Sequence, residues 1–288
     1  MFLSIRTMII TKQNNQKLPH LTKMRKHIIF SLILSLSCLT GYAKTIQTPK
    51  DDGEFRTIVF DGAHSTVPYR IPAITETRKG TLLAVCDYRL NHSDIGWNNR
   101  NGLWQINVVM KTSQDFGRTW SDSVCIARGN EHATNPVRAA FGDPSIVADR
   151  TSDNVLLHCV AGKSGYQTAT RQNPQHAVFF HSKDGGKTWD NGIELTEMIH
   201  GLYDGTLPNG GKPDGIFLTS GKIMQSRYIR KGKFYRLYIA HPIRQKGVDI
   251  CGTFVIYSDD FGYTWHTLGN PSVAPSIAQD ESKLEELP

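Results

Sequence analysis

The pattern Ser-x-Asp-x-Gly-x-Thr-Trp occurs three times in this 288-residue chain, and it constrains the fold more than any other feature. The copies begin at Ser113, Ser182 and Ser258, so they are 69 and 76 residues apart. Ser and Asp side chains hydrogen-bond to the N–H groups of turns, and Gly adopts positive φ angles readily. Each copy is therefore predicted to form a hairpin corner, whose Trp folds back and packs between adjacent sheets.

The segments between these corners are typical of short strands. They are rich in β-branched and aromatic residues, and Gly, Asp, Asn or Pro bounds each of them. No segment has helical periodicity over more than a couple of turns. The predicted strands are 81–89, 106–113, 154–162, 176–182, 236–242 and 253–259. A four-strand unit repeated about every 70 residues predicts an all-β fold of the β-propeller type.

The region before the predicted domain has the pattern of a secretory signal peptide. Residues 24–43 have a basic start, an apolar run and a Gly-Tyr-Ala ending, which predicts cleavage after Ala43. The apolar run is too short for a comfortable membrane span. We therefore expect an exported protein that is periplasmic, attached to the cell surface or secreted. A lipid anchor on Cys38 is the alternative to free secretion.

The remaining boundaries follow from this signal peptide. Residues 1–23 form an upstream extension, and Met24 is the alternative start of translation. Residues 44–54 are predicted to be a linker, and residues 55–288 the propeller domain.

Charge and composition exclude several classes of function. The formal net charge is +7, but six Lys and Arg residues lie in the first 43 positions, which hold no Asp or Glu. The rest of the chain is nearly neutral, so a nucleic-acid partner is not expected. The spacing of Cys and His matches no metal-binding pattern, and we predict no metal site and no cofactor.

The stretch YRIPAI, residues 69–74, places Arg70 in what is otherwise an apolar strand, where a charge is costly unless an anion meets it. Together with the three repeats, it resembles the sialidase superfamily, in which Tyr-Arg-Ile-Pro begins the catalytic domain and the repeats are called Asp boxes, or BNR repeats. The resemblance covers most of residues 55–288. It implies a six-bladed propeller that releases terminal sialic acid from glycoproteins, glycolipids or oligosaccharides. The Asp boxes are expected on the outer rim, away from catalysis.

The resemblance also implies a chemistry. Sialic acid carries a carboxylate at its anomeric carbon, so a carboxylate nucleophile would meet a like charge there. Sialidases are retaining glycosidases that use a tyrosine nucleophile instead. A glutamate helps that tyrosine ionise, three arginines bind the substrate carboxylate, and a separate carboxylic acid protonates the departing oxygen.

Five residues of this chain match positions of that site. Arg70 matches the first arginine of the clamp, and Asp94, in a loop 24 residues later, matches the general acid/base, with Asp87 as the rival candidate. Arg89 resembles an arginine that contacts the sugar hydroxyls, although a surface salt bridge is the alternative. Asp143, in Gly-Asp-Pro-Ser, resembles an aspartate that accepts hydrogen bonds from the sugar, although Gly-Asp-Pro alone indicates a turn.

The last ten residues, QDESKLEELP, resemble the strand that carries the glutamate partner of the tyrosine. This points to Glu281, with Glu285 and Glu286 as structural or solvated residues. In the family, the other two clamp arginines and the tyrosine follow this glutamate, and the chain ends at Pro288 before them. No tyrosine of this chain matches the nucleophile.

We therefore expect an exo-α-sialidase sequence that is incomplete at its C-terminus and holds roughly the first four blades. On this interpretation the 288-residue chain alone is inactive. The alternatives are an inactive sialidase remnant and a non-catalytic Asp-box propeller that binds sialosides or proteins.

Overall fold

A computed structural model describes residues 57–90, 93–96, 105–207, 210–245, 248–276 and 281–288. The predicted upstream extension, signal peptide and linker, with Cys38, lie outside the described residues. Within the described part of the chain, no helix is both long and apolar enough to cross a membrane.

The described residues are almost entirely β-structure, as predicted. One 3₁₀ turn (Pro136–Arg138) and one short helix, α1 (Thr196–Gly201), interrupt the strands. The strands are β1 (Tyr69–Glu76), β2 (Leu82–Arg89), β3 (Ile106–Ser113), β4 (Val124–Ala127), β5 (Phe141–Ala148), β6 (Val155–Ala161), β7 (His176–Ser182), β8 (Ile193–Glu194), β9 (Pro213–Ile216), β10 (Gly221–Lys222), β11 (Met224–Lys231), β12 (Phe234–Gln245), β13 (Val248–Ser258) and β14 (His266–Thr267).

These strands form three consecutive sheets, which are three blades of a propeller. Blade 1 has the order β1-β2-β3-β4, blade 2 the order β5-β6-β7-β8, and blade 3 the order β11-β12-β13-β14, with β9 pairing to β12. Neighbours within each blade are antiparallel. The first strands of successive blades meet side by side, because β10 pairs in parallel with β5 and the Ala148 N–H donates to Thr75 Oγ1 at 3.2 Å. Successive sheets that meet along their inner edges in this way are arranged radially around a common centre.

Blade 2 is buried on both faces, which explains its nearly continuous apolar strands. On β6 and β7, Leu157 and Phe180 pack in the cluster shared with blade 1. Their chain neighbours Leu156 and Phe179 point the opposite way, into the cluster shared with blade 3. Strand alternation therefore supplies one residue to each interface in turn.

The three Asp boxes have the same internal hydrogen bonds. In the first box, Gly117 N–H donates to Ser113 Oγ at 2.8 Å, and the Thr119 hydroxyl donates to Asp115 Oδ2 at 2.6 Å. The Trp120 indole N–H then donates to the Gly117 carbonyl at 3.1 Å. The second and third boxes repeat these bonds to within 0.1 Å, and all three box glycines have positive φ. The predicted hairpin corners are confirmed.

Packing of a box tryptophan between sheets is confirmed most clearly in the third copy. Trp265 is 1% exposed and its ring centroid lies 5.4 Å from that of Phe179 in blade 2. The first Asp box lies at one end of blade 1, because its Ser113 pairs with Leu82 at the start of β2. Arg89 lies at the other end of the same strand. Seven residues of strand separate the two, or about 23 Å.

Candidate functional site

Four of the five predicted site residues meet at one end of blades 1 and 2. The end of β2 supplies Arg89, and the segment that follows supplies Asp94. Asp143 is the third residue of β5, and Glu281 comes from the C-terminal segment, close enough for its charge to act on Asp143. Arg70 opens β1 at the same end, because its register partner on β2 is Asp87.

Arg70 lies in an unusual stretch of backbone. The register of β1 shifts between Arg70 and Ala73, and Ile71 has a φ of 51°, a left-handed conformation that is strained for a β-branched residue. The expectation of an apolar setting for Arg70 was wrong, whereas its expected anionic partner, the carboxylate of a bound sugar, stays a prediction. The side chain is exposed, and none of the described residues forms an ion pair or hydrogen bond with it.

Arg89 is the centre of the site. Its side chain is 4% exposed, so the alternative of a surface salt bridge was wrong. Its Nε and Nη2 donate to Asp87 Oδ2 at 3.0 and 2.7 Å. Its Nη1 lies 3.1 Å from Asp94 Oδ2, and its Nη2 lies 3.7 Å from Asp143 Oδ1. One guanidinium therefore faces three carboxyl groups.

Asp94 is the accessible acid of this group. Its side chain is 41% exposed, and its Oδ1 accepts a hydrogen bond from the Ile95 N–H at 2.7 Å. Ile95 is 3% exposed and packs into a cluster with Tyr166 and Phe217, so the loop is anchored beside its acid. The Asp94 carboxyl thus faces solvent on one side and Arg89 on the other.

Asp143 lies in a strand irregularity and not in the simple turn that Gly-Asp-Pro alone indicated. The register of β5 shifts between Gly142 and Ser145, and Asp143 has a φ of 49°. Its side chain is 11% exposed. Burial, then the charges of Asp87 and Asp94, raise the pKa of the Asp143 carboxyl well above its ordinary value.

Asp87 is the residue whose place in this site the sequence analysis missed. It was considered only as a rival acid, but it is 0% exposed and so cannot contact a ligand. Burial raises the pKa of its carboxyl, while Arg89 opposes that shift. The available signal was the two-residue spacing, since Asp87 and Arg89 in one strand must point to the same face.

Glu281 begins a segment that packs on blade 3, and the strand expected in residues 279–288 does not form in the described part, 281–288. The Thr219 hydroxyl donates to the Ser282 carbonyl at 2.7 Å, and Leu284 is buried against blade 3. Glu281 itself is exposed. Glu285 and Glu286 were expected to be structural or solvated: Glu285 is exposed and pairs with Lys222, and Glu286 accepts from the Ser226 hydroxyl, each at 2.7 Å.

The described site holds more acid than base. The set contains two arginines, Arg70 and Arg89, and four carboxyl groups, of which Asp87, Asp94 and Asp143 lie around Arg89 and Glu281 acts on Asp143. Because Arg89 is already paired with acids, Arg70 is the cation of this set that remains available to an anionic ligand. Among the described cysteines, Cys86 and Cys159 are buried and free, as small apolar residues are expected to be, and the half-buried Cys125 is also free.

Comparisons with known proteins agree with this fold. The model of the BNR/Asp-box repeat family matches residues 256–267, which include the third box. The chain is 28% identical to a sialidase of Micromonospora viridifaciens over 241 residues, covering 80% of this chain and 33% of that protein. It is 26% identical to a sialidase of Clostridium perfringens, covering 76% of this chain and 53% of that protein.

A solved structure, Hadza microbial sialidase Hz136, has the same fold over 71% of this chain and 37% of its own, with a TM-score of 0.52 and 20% identity. The chain thus spans between a third and about half of the length of these curated relatives. The Asp-box match and the curated relatives show that this chain is similar to bacterial sialidases.

Proposed function

We propose that the full-length protein is an exo-α-sialidase, a retaining glycoside hydrolase that releases terminal sialic acid from glycoproteins, glycolipids or oligosaccharides. The observation that carries this proposal is Arg70: an exposed guanidinium with no acid partner among the described residues, at the same end of the sheets as the accessible Asp94.

Arg70 is proposed to bind the carboxylate of the sugar. A guanidinium stays charged at any physiological pH and presents two parallel N–H donors that match a carboxylate. The four nearby acidic residues disfavour the binding of an anion unless further cations lie beside Arg70. The other two arginines of the proposed clamp are therefore expected from chain beyond this sequence.

Asp94 is proposed to be the general acid/base. In the first step its protonated carboxyl donates a proton to the glycosidic oxygen as the bond from that oxygen to the anomeric carbon breaks. In the second step its carboxylate removes a proton from the water that attacks the anomeric carbon, while the bond from that carbon to the tyrosine oxygen breaks and this oxygen regains its proton from Glu281. Its 41% exposure leaves room for a substrate, and the Ile95 N–H holds its other oxygen in place.

The remaining residues are proposed to bind the sugar or to assist the nucleophile. Asp143 offers a partly exposed oxygen to a sugar hydroxyl, and Arg89 holds the acids around it. Glu281 is proposed to take the proton of the tyrosine nucleophile, which no tyrosine of this chain supplies.

The proposal is tested on the full-length protein with an aryl α-sialoside and with sialyllactose. We expect release of sialic acid from both, with the α-anomer formed first. Arg70→Ala is expected to reduce kcat/KM by at least about 100-fold, since one charge-assisted contact to the reacting sugar is lost. Arg78→Ala is the matched control, because Arg78 is an exposed arginine that pairs with Asp153 in another part of the blade. Binding of sialosides without turnover would contradict the proposal and favour the non-catalytic alternative.

We also propose that the protein is exported, with cleavage after Ala43. N-terminal sequencing of the protein from the periplasm, the membrane or the medium is expected to read from Lys44. A lipid-modified N-terminus at Cys38 would instead indicate an anchored form.

A further inference from the structure

The buried carboxylate of Asp87 is used by no step of the proposed mechanism. This carboxylate is fully buried, and other groups of the site lie within 3 Å of it. A buried charge is costly unless it is paired and hydrogen-bonded. Both of its oxygens have partners, and each partner belongs to a different part of the site.

The Oδ2 atom holds Arg89. It accepts from Nε at 3.0 Å and from Nη2 at 2.7 Å, so two of the guanidinium nitrogens are fixed by one oxygen. The third nitrogen, Nη1, is thereby turned towards Asp94, 3.1 Å away. The orientation of the guanidinium plane sets where the Asp94 carboxyl rests.

The Oδ1 atom holds the main chain of blade 2. It accepts from the Asp143 N–H at 2.9 Å, at a residue whose φ of 49° an aspartate adopts only when its surroundings compensate. Gly142 packs beside this carboxylate, since a Cβ there would lie 3.4 Å from Asp87 Oδ2, in ordinary van der Waals contact. Pro144 follows and has no N–H to compete for the carboxylate.

We infer that Asp87 is the positioning residue of this site: one buried carboxylate fixes Arg89 through one oxygen and the Asp143 main chain through the other, so that Asp94 of blade 1 and Asp143 of blade 2 face the same guanidinium. The role of Asp87 in turnover rests on the proposed function, but the arrangement itself does not.

The same arrangement governs the charge of Asp143. After burial, the charges of Asp87 and Asp94 are the strongest influences that raise the pKa of the Asp143 carboxyl. The charged and titratable groups that face it are Asp87 and Arg89 on β2, Asp94, Glu281 and, on β6, Cys159. Removal of the Asp87 charge is therefore expected to let Asp143 lose its proton at lower pH.

The test follows the Asp143 carboxyl by NMR in full-length protein carrying ¹³C-labelled aspartate, with Asp143→Asn to assign the signal. In the wild type we expect titration above the ordinary aspartate range. In Asp87→Asn we expect the midpoint to move to lower pH and kcat/KM on sialosides to fall about 100-fold, because the site loses its alignment. Asp153→Asn, which removes a carboxylate paired with Arg78 and Lys79, is the control and is expected to change neither.

A merely structural Asp87 would lower the melting temperature in Asp87→Asn without moving the Asp143 midpoint, and that result would overturn the inference. If Asp87→Asn does not fold, the inference is tested instead on the wild type and on Asp87→Glu. Asp87→Glu keeps the charge but displaces the two oxygens, so we expect a wild-type Asp143 midpoint and a reduced kcat/KM. A wild-type Asp143 that titrates in or below the ordinary range would overturn the inference.

The two proposals fail in different ways. No sialoside turnover by the wild type contradicts the proposed function, while the NMR titration still tests Asp87. Turnover by the wild type with an unmoved Asp143 midpoint in Asp87→Asn contradicts the role of Asp87 alone.

Discussion

Gly262 of the third Asp box lies against Leu156 of β6, so a residue of blade 3 contacts the preceding blade directly. A Cβ added to Gly262 would lie 2.4 Å from Leu156 Cδ2, closer than two carbon atoms can approach. The second box repeats the arrangement one blade earlier, because a Cβ on Gly186 would lie 3.0 Å from Leu83 Cδ1. In the second and third boxes the glycine therefore has two roles: it forms the corner, and it lets that corner pack against the preceding blade.

Gly262→Ala is expected to destabilise the fold by both effects. Its φ of 93° costs an alanine about 1–2 kcal/mol, and displacing Leu156 adds roughly 1–3 kcal/mol of overpacking. Gly185→Ala is the matched control, because its φ is 77° but nothing lies within 4 Å of an added Cβ. Denaturant unfolding of both variants measures the difference, and equal losses would contradict the proposed blade contact.

Acid is expected to weaken the first Asp box. Hydrogen bonds from the hydroxyl and N–H of Thr119, and from the Ser113 hydroxyl, lower the pKa of Asp115 to about 2. Since the folded state binds this proton less readily than the unfolded chain, the contribution of Asp115 is present above about pH 4 and lost as the pH falls through 2. Asp115→Asn should remove this part of the pH dependence.

The free energy of unfolding between pH 5 and 2 checks that prediction. Asp122→Asn is the control, because Asp122 is exposed in the same region and its side chain makes no hydrogen bond with the described residues. A wild-type slope that Asp115→Asn leaves unchanged would show that the acid sensitivity arises elsewhere.

The blades could be predicted from the sequence because their determinants are local. Each Asp box forms its hydrogen bonds within eight residues, and a central strand such as β6 is buried on both faces. The helix Thr196–Gly201 was missed, since six residues are too few to show a helical period. The strand expected in residues 279–288 does not form over the described residues 281–288, because the Thr219 and Ser226 hydroxyls hold that segment and no strand pairs with it.

The site could be predicted only in part because its geometry is non-local. Family resemblance pointed to Arg89 and Asp143, but their contact depends on strands from two blades, 54 residues apart in sequence. The exposure of Arg70 could not be predicted, because the strand pattern does not indicate the irregular backbone at Ile71. The role of Asp87 depends on contacts of its two oxygens with Arg89 in blade 1 and Asp143 in blade 2, which the sequence alone does not show.

The loop that carries Asp94 is expected to depend on Gly165. A Cβ on Gly165 would lie 2.8 Å from the Ile95 carbonyl oxygen, so Gly165→Ala must push the Asp94 loop away from blade 2. We expect kcat/KM on sialyllactose to fall about 10- to 100-fold, because a displaced acid protonates the leaving oxygen poorly. Gly201→Ala is the control, since nothing lies within 4 Å of its added Cβ. Similar activity in the two variants would contradict this role for Gly165.

The proposed acid role of Asp94 predicts a dependence on the leaving group. An alkoxide leaving group needs a proton as its bond breaks, whereas an activated phenoxide departs without one. Asp94→Asn is therefore expected to reduce kcat/KM on sialyllactose about 100- to 10,000-fold and to affect an activated aryl α-sialoside far less. Arg70→Ala should reduce both substrates alike, because each carries the same carboxylate. Equal loss on both substrates in Asp94→Asn would mean that Asp94 contributes to binding and not to proton transfer.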